Sequence, residues 1–542
     1  MHRCLQISEI LHEVVEYLAA DSRHKGTLAN LACTSKLFLE PALDALWRDL
    51  DDLYPLVDCF PEDVLDAWSH PNYSSDDDIN LTVNERTTLF RDFLDVRRLL
   101  RAPAWIRFQF YAPRVKSFEW AFYRATKICQ ALNSDRPSNY LLPNITHLAG
   151  TIRRPDEFGN MVPFLGPKLQ SLTFIISSLQ TNVFGLAPHA WVASSFGQLK
   201  FLCPQLEDVT FKNYVNSPFH YDGEYYEGMS QFICALPPIR AFWSDISITQ
   251  RAFAALAMMP GLERFHASVG EDGIPHCQPL ARYITNESTT EQDSMDIFFP
   301  ALRSFALACT DHPVPAEELA ELLLTMREPR PLTDFKVHGI YDGHGRDVRL
   351  VLNALASAAR TDAVCTVECA AYNPFMLGPE ESLPQPTGPI GMAEVIRPLH
   401  IFHSLRTLRI AALVHCATFD DDLVTSLARV FPLLERLALW GTFRDQSRIT
   451  YAALKTLTAL CPFLCEIGIP ISPTAEPPGS ASEMDLVGSA MERPVVLMNF
   501  GRKPPGRAED VAAYFGALFP NGATVQDYYW LHWLNLPITY ME

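Results

Sequence analysis

One motif recurs along most of this chain and sets what the chain can fold into. A proline ends a helical run, an apolar residue follows within a few positions, and apolar residues then alternate. Copies run from Pro143 to Leu148, Pro167 to Phe174, Pro204 to Phe211, Pro260 to Phe265, Pro300 to Phe305, Pro432 to Leu439 and Pro462 to Ile469. Weaker copies sit at Pro238-Ile239, Pro331-Leu332 and Ser404-Leu405. Proline cannot continue a helix, and it biases the chain toward an extended conformation. The alternation then makes a short strand with one buried face. Segments at 250–258, 317–325, 348–359, 423–430 and 451–460 have helical spacing and supply the packing layer.

One helix and one strand per unit, repeated at a spacing of roughly 23 to 40 residues, is the leucine-rich-repeat plan. It predicts parallel strands on a concave face and helices on the convex face. The Asn typical of tight repeats is absent and unit length varies, so the coil is expected to be irregular. The fold class is therefore α/β, an irregular leucine-rich-repeat-like solenoid over 121–520. A solenoid must close its ends. At the far end, 505–520 reads as a last helix with Val511, Tyr514, Phe515 and Phe519, and 521–542 as an aromatic cap around Tyr528 to Trp533.

The chain is 48% hydrophobic with a net charge of -19, which suits a large core and offers no electrostatic footprint for nucleic acid or anionic membranes. The opening MHRCLQISEI lacks a signal-peptide apolar core, and no apolar run is long enough to span a bilayer. The 13 cysteines are scattered and read as core residues of a reducing compartment. These features point to the cytoplasm or nucleus. Nucleophile-elbow, Walker, dinucleotide and His-Glu-x-x-His motifs are missing. Cys365/Cys369 and Cys461/Cys465 lack a second ligand pair at zinc spacing, and Gly343 to Gly345 reads as a plain loop. No catalytic, metal-binding or cofactor-binding residue is assigned, and the chain is not expected to be an enzyme.

Ahead of the repeats, residues 5–50 read as three short helices. Ser8 precedes Ile10, Leu11, Val14, Val15 and Leu18 and is placed to cap the first. Thr27 is placed to cap a second, with Leu28, Leu31 and Ala32. Thr34 and Ser35 are placed to cap a third, with Leu37, Phe38, Leu43, Leu46 and Trp47, which Pro41 either restarts or kinks. Residues 51–120 read as a helical linker, with helical character at 85–100 and 103–111 and a strand pattern at 114–118. Three helices of this size cannot bury all of these side chains among themselves.

The stretch resembles an F-box. The residues that carry the likeness are Ile7-Ser8-Glu9-Ile10-Leu11, the segment Leu28 to Phe38 with Cys33, and Leu46-Trp47-Arg48. Pro41 to Trp47 and Tyr111 to Val115 are similar to F-box proteins of mushroom-forming fungi. Ser8 stands where the family usually has proline. The resemblance implies a substrate receptor of an SCF-type ubiquitin ligase: the F-box (1–50) binds a Skp-type adaptor and, through it, a cullin, while the repeats hold a target protein. Adaptor contacts are expected from Leu5, Ile7, Ile10, Leu11, Val14, Leu18, Leu28, Leu31, Leu37, Phe38, Leu46 and Trp47. Leu43, Leu46 and Trp47 are expected to turn back toward the linker. Target contacts are expected on concave strand faces and on insertions at 213–229, 266–297 and 370–393. The first carries Tyr214, Phe219, Tyr221, Tyr225 and Tyr226 among acids. The alternatives are a non-catalytic scaffold or a small-ligand-binding repeat protein.

Overall fold

The computed structural model describes residues 7–61, 65–67, 94–96, 105–121, 129, 132–133, 136, 138–152, 159–176, 199–213, 230–269, 298–308, 314–326, 329–341, 345–372, 390–415, 418–442, 447–476, 495–498, 507–519 and 523–526. The chain divides into two compact units, 1–239 and 240–542.

The first unit opens with helices α1 (Ser8–Ala19), α2 (Lys25–Thr34) and α3 (Lys36–Arg48). Only one of the three expected caps forms as anticipated: Ser35 accepts the Leu37 amide at 3.3 Å. Ser8 does not cap α1. It is already helical, the extended residue before it is Ile7, and the Ser8 hydroxyl turns to Glu9 instead. Thr27 does not cap α2, because a 3-10 turn at Ser22–His24 feeds straight into a helix that starts two residues earlier. Asp21 holds that turn, accepting the Arg23 amide at 2.9 Å. Pro41 lies inside α3, which continues through it.

Helix α3 runs directly into strand β1 (Asp49–Leu50). After α4 (Tyr54–Val57), an antiparallel pair joins β2 (Leu65–Ala67) to β3 (Leu94–Val96), where helix was expected. Leu94 and Val96 flank Asp95, a two-residue alternation too short to register as a strand signal. Helix α5 (Trp105–Tyr111) precedes β4 (Ser117–Ala121), β5 (His147–Ile152) and β6 (Ser171–Ile176); α6 (Leu199–Leu202) then leads into β7 (Asp208–Asn213). Strand β1 pairs parallel with β4, and each following strand pairs parallel with the one before it. The sheet thus begins at Asp49, at the end of the stretch read as an F-box, and its second strand, β4, starts inside the stretch read as a helical linker.

The second unit is an open, all-parallel sheet. Its strands, in spatial and chain order, are β8 (Ala241–Ile248), β9 (Arg264–Val269), β10 (Ser304–Ala308), β11 (Asp334–Tyr341), β12 (Thr366–Tyr372), β13 (Thr407–His415), β14 (Arg436–Thr442), β15 (Glu466–Gly468), β16 (Val495–Met498) and β17 (Ala523–Gln526). Between them lie α7 (Gln250–Ala257), α8 (Ala316–Leu324), α9 (Arg346–Ala358), α10 (Met392–Ile396), α11 (Asp421–Val430), α12 (Tyr451–Leu460) and α13 (Ala508–Leu518). This is a solenoid-like α/β arrangement. Strand β12 occupies the wide gap before residue 404; no proline announces it. Strand β17 lies in the stretch read as a terminal cap, and 527–542 fall outside the described residues. The starts of the expected insertions also belong to strands: Asn213 ends β7, His266–Val269 lie in β9, and Ala370–Tyr372 close β12.

Register explains why the motif repeats. Phe242, Phe265, Phe305, Phe335, Val367, Leu408, Leu437 and Ile467 are aligned neighbours across consecutive strands, and all are buried. Phe253 of α7 meets Phe265 edge to face at 5.2 Å, so this row faces the helices. Ahead of β9 to β15, one carbonyl accepts two successive amides of the next repeat. Arg303 does so for Thr333 and Asp334, Thr333 for Cys365 and Thr366, and Arg406 for Glu435 and Arg436. The apolar position and the doubled hydrogen bond recur together, which locks each repeat to its neighbour.

Candidate functional site

Helix α1 carries apolar side chains at two angular positions. Leu11 and Val15 point inward and form a core with Leu28 of α2 and Phe38 of α3. Leu18, Leu31, Ala45 and Leu46 pack against that core, partly buried. A second stripe points outward: Ile7 is 48% exposed, Ile10 38%, Val14 39% and Tyr17 77%. Steps of four and three residues place Ile10, Val14 and Tyr17 on one side of α1, and Ile7 immediately precedes the helix. Leu37 of α3 is exposed as well, at 44%.

This geometry corrects the expected contact set. Leu11, Leu28 and Phe38 are interior to the three helices and have no surface to offer. Leu18, Leu31 and Leu46 lean on the same core. Ile7, Ile10, Val14 and Leu37 remain outside, and Leu5 lies beyond the described residues. Tyr17 joins the stripe although sequence reasoning passed over it. Its signal was the three-residue step from Val14, obscured by the phenol's polar end.

The helices are held by charge and by aromatic packing. Arg48 of α3 donates two hydrogen bonds to Glu16 of α1, at 2.6 and 2.7 Å. That guanidinium holds the Glu16 carboxyl below the usual carboxylate range. Arg114, just past α5, reaches Glu40 at 2.6 Å and also bonds Asp44, both on α3. The Arg114 guanidinium lies 4.9 Å from the Phe110 ring centre. Trp47 is half-buried and stacks on Tyr111. Of the three residues expected to face the linker, Trp47 meets it and Leu46 turns to the helical core.

The second unit carries a charged cluster on the sheet face opposite the helices. His266, Lys336, Glu368 and Arg409 occupy the same register level, with Ala306 between the first two. Glu368 lies 3.2 Å from the Lys336 amine, 3.9 Å from His338 and 4.0 Å from Arg409. Arg409 also holds Glu466 at 2.5 Å. Burial pushes His266 and His338 down to about 4, so both rings are neutral near pH 7. Ala411, Ala438 and Trp440 on this face are buried too. The centre of the face is therefore a largely buried, charge-paired network. Tyr214, Phe219, Tyr221, Tyr225 and Tyr226 lie outside the described residues.

Among the described residues, no group of three or more metal-ligating side chains comes together. No described helix is long and apolar enough to cross a membrane. No protein-family model matches the chain, and no curated protein matches its sequence.

Proposed function

We propose that the chain is the substrate-recognition subunit of an SCF-type ubiquitin ligase. The N-terminal helices dock a Skp-type adaptor, which links to a cullin, and the repeat units present a target protein. One observation carries this reading: α1 fills its core with Leu11 and Val15, yet Ile10, Val14 and Tyr17 along it and Ile7 just before it stay exposed. Contiguous apolar surface costs free energy in water unless a partner covers it. Its place, on the first helix of a stretch that resembles an F-box, supports an adaptor as that partner.

The test is co-purification of the full chain with a Skp-type adaptor, wild type against Ile10→Asp. Wild type retains the adaptor, and Ile10→Asp loses it with an unchanged helical spectrum and melting temperature. Absence of binding by a folded wild type sinks the reading.

A further inference from the structure

Ten of the chain's 44 basic residues are lysine and the rest are arginine. The bias is strongest in the second unit, whose lysines are Lys336, Lys455 and Lys503 against twenty arginines. Lys336 is engaged by Glu368 at 3.2 Å and is about one-third exposed. Lys455, on α12, is exposed, and Lys503 lies outside the described residues.

Lys455 apart, several exposed cations of this unit are arginines in ion pairs. Arg240 and Arg303 flank Glu263 at 3.7 and 4.0 Å with side chains 60% and 62% exposed. Arg360 pairs with Asp362 at 54% exposure, and Arg406 with Glu435 at 57%. Solvent-exposed pairs contribute little to stability whichever cation makes them. Folding therefore does not explain the arginines at 240, 303 and 406, whereas Arg360 grips Asp362 with two hydrogen bonds, at 3.1 and 2.7 Å, that lysine cannot copy.

The two side chains differ in reactivity. A lysine amine that has lost its proton attacks the thioester carbonyl at the C-terminus of ubiquitin. A nitrogen–carbon bond forms, the carbon–sulfur bond breaks, and the carrier's thiol leaves. A guanidinium stays protonated and has no such lone pair. Resting on the reading above, we propose that the second unit is a poor ubiquitin acceptor, so that transfer favours the delivered target over the unit that holds it.

The experiment compares the wild-type chain with the combined variant Arg240→Lys, Arg303→Lys and Arg406→Lys. Both are assembled with adaptor and cullin and supplied with ubiquitin-charged carrier enzyme. Adaptor capture and ubiquitin attached within residues 240–542 are measured together. The variant should capture adaptor as well as wild type and acquire several-fold more ubiquitin, a gain abolished by adding Ile10→Asp. Equal capture with equal modification overturns this inference alone. Failure of both chains to capture adaptor overturns the reading beneath it, and the inference with it.

Discussion

Trp47 stacks on Tyr111 with ring centroids 4.2 Å apart and planes inclined by 19°. The contact ties the end of α3 to α5, beside the point where Asp49–Leu50 joins the sheet. Trp47 is only half-buried, so truncation does not empty a sealed cavity. Trp47→Ala should cost about 1–3 kcal/mol, less than the ~3–5 kcal/mol of a fully buried tryptophan. Urea unfolding of Trp47→Ala, Tyr111→Ala and the double variant measures the coupling. A coupling near zero would show that the stack contributes nothing beyond burial.

Leu11 and Ile10 are neighbours in sequence with opposite fates. Leu11 is 4% exposed and Ile10 38%. Leu11→Ala should destabilise the N-terminal helices by about 2–5 kcal/mol, while Ile10→Ala should cost under about 1 kcal/mol. Circular dichroism during urea titration separates them. Equal losses would mean that Ile10 is also core, and the outward stripe would lose its central member.

The neutral histidines set an acid limit on the second unit. Unfolded histidine titrates near 6.5, whereas burial holds His338 and His266 down to about 4, more than Glu368 can offset at His338. Between those values the unfolded chain takes up protons that the folded chain refuses. Their contribution is full above about pH 6.5 and is lost as pH falls toward about 4, by roughly 1.4 kcal/mol per pH unit for each histidine. Urea midpoints at pH 7.5, 6.0 and 5.0 should decline for wild type and decline less for His338→Asn. Parallel curves would mean that His338 titrates normally in the fold.

Periodicity in the sequence revealed the repeats, because each strand needs an apolar residue at one register position and proline marks the turn before it. Strand β12 escaped notice because Val364 and Val367 arrive without proline. The stripe on α1 was visible only as an excess of apolar residues. Which half turns inward depends on Leu28 and Phe38, and local spacing cannot say where those pack. The charged cluster was hidden for the same reason. Lys336, Glu368 and Arg409 lie a repeat apart in sequence, and only sheet register makes them neighbours.

Phe305 tests how far that register carries energy. Its ring lies between Phe265 at 5.6 Å and Phe335 at 5.8 Å, and it is fully buried. Phe305→Ala should cost about 3–5 kcal/mol, from lost burial and an unfilled cavity. In a solenoid-like sheet each repeat touches mainly its neighbours, so the damage should couple locally. Paired with Phe335→Ala, the double variant should depart from additivity by about 0.5–3 kcal/mol, since the second truncation enlarges a cavity already present. Paired with Leu437→Ala, three strands beyond Phe335, the losses should add within about 0.5 kcal/mol. Strong coupling to Leu437 would show that the second unit behaves as one globular core, and the repeat description of its energetics would have to be abandoned.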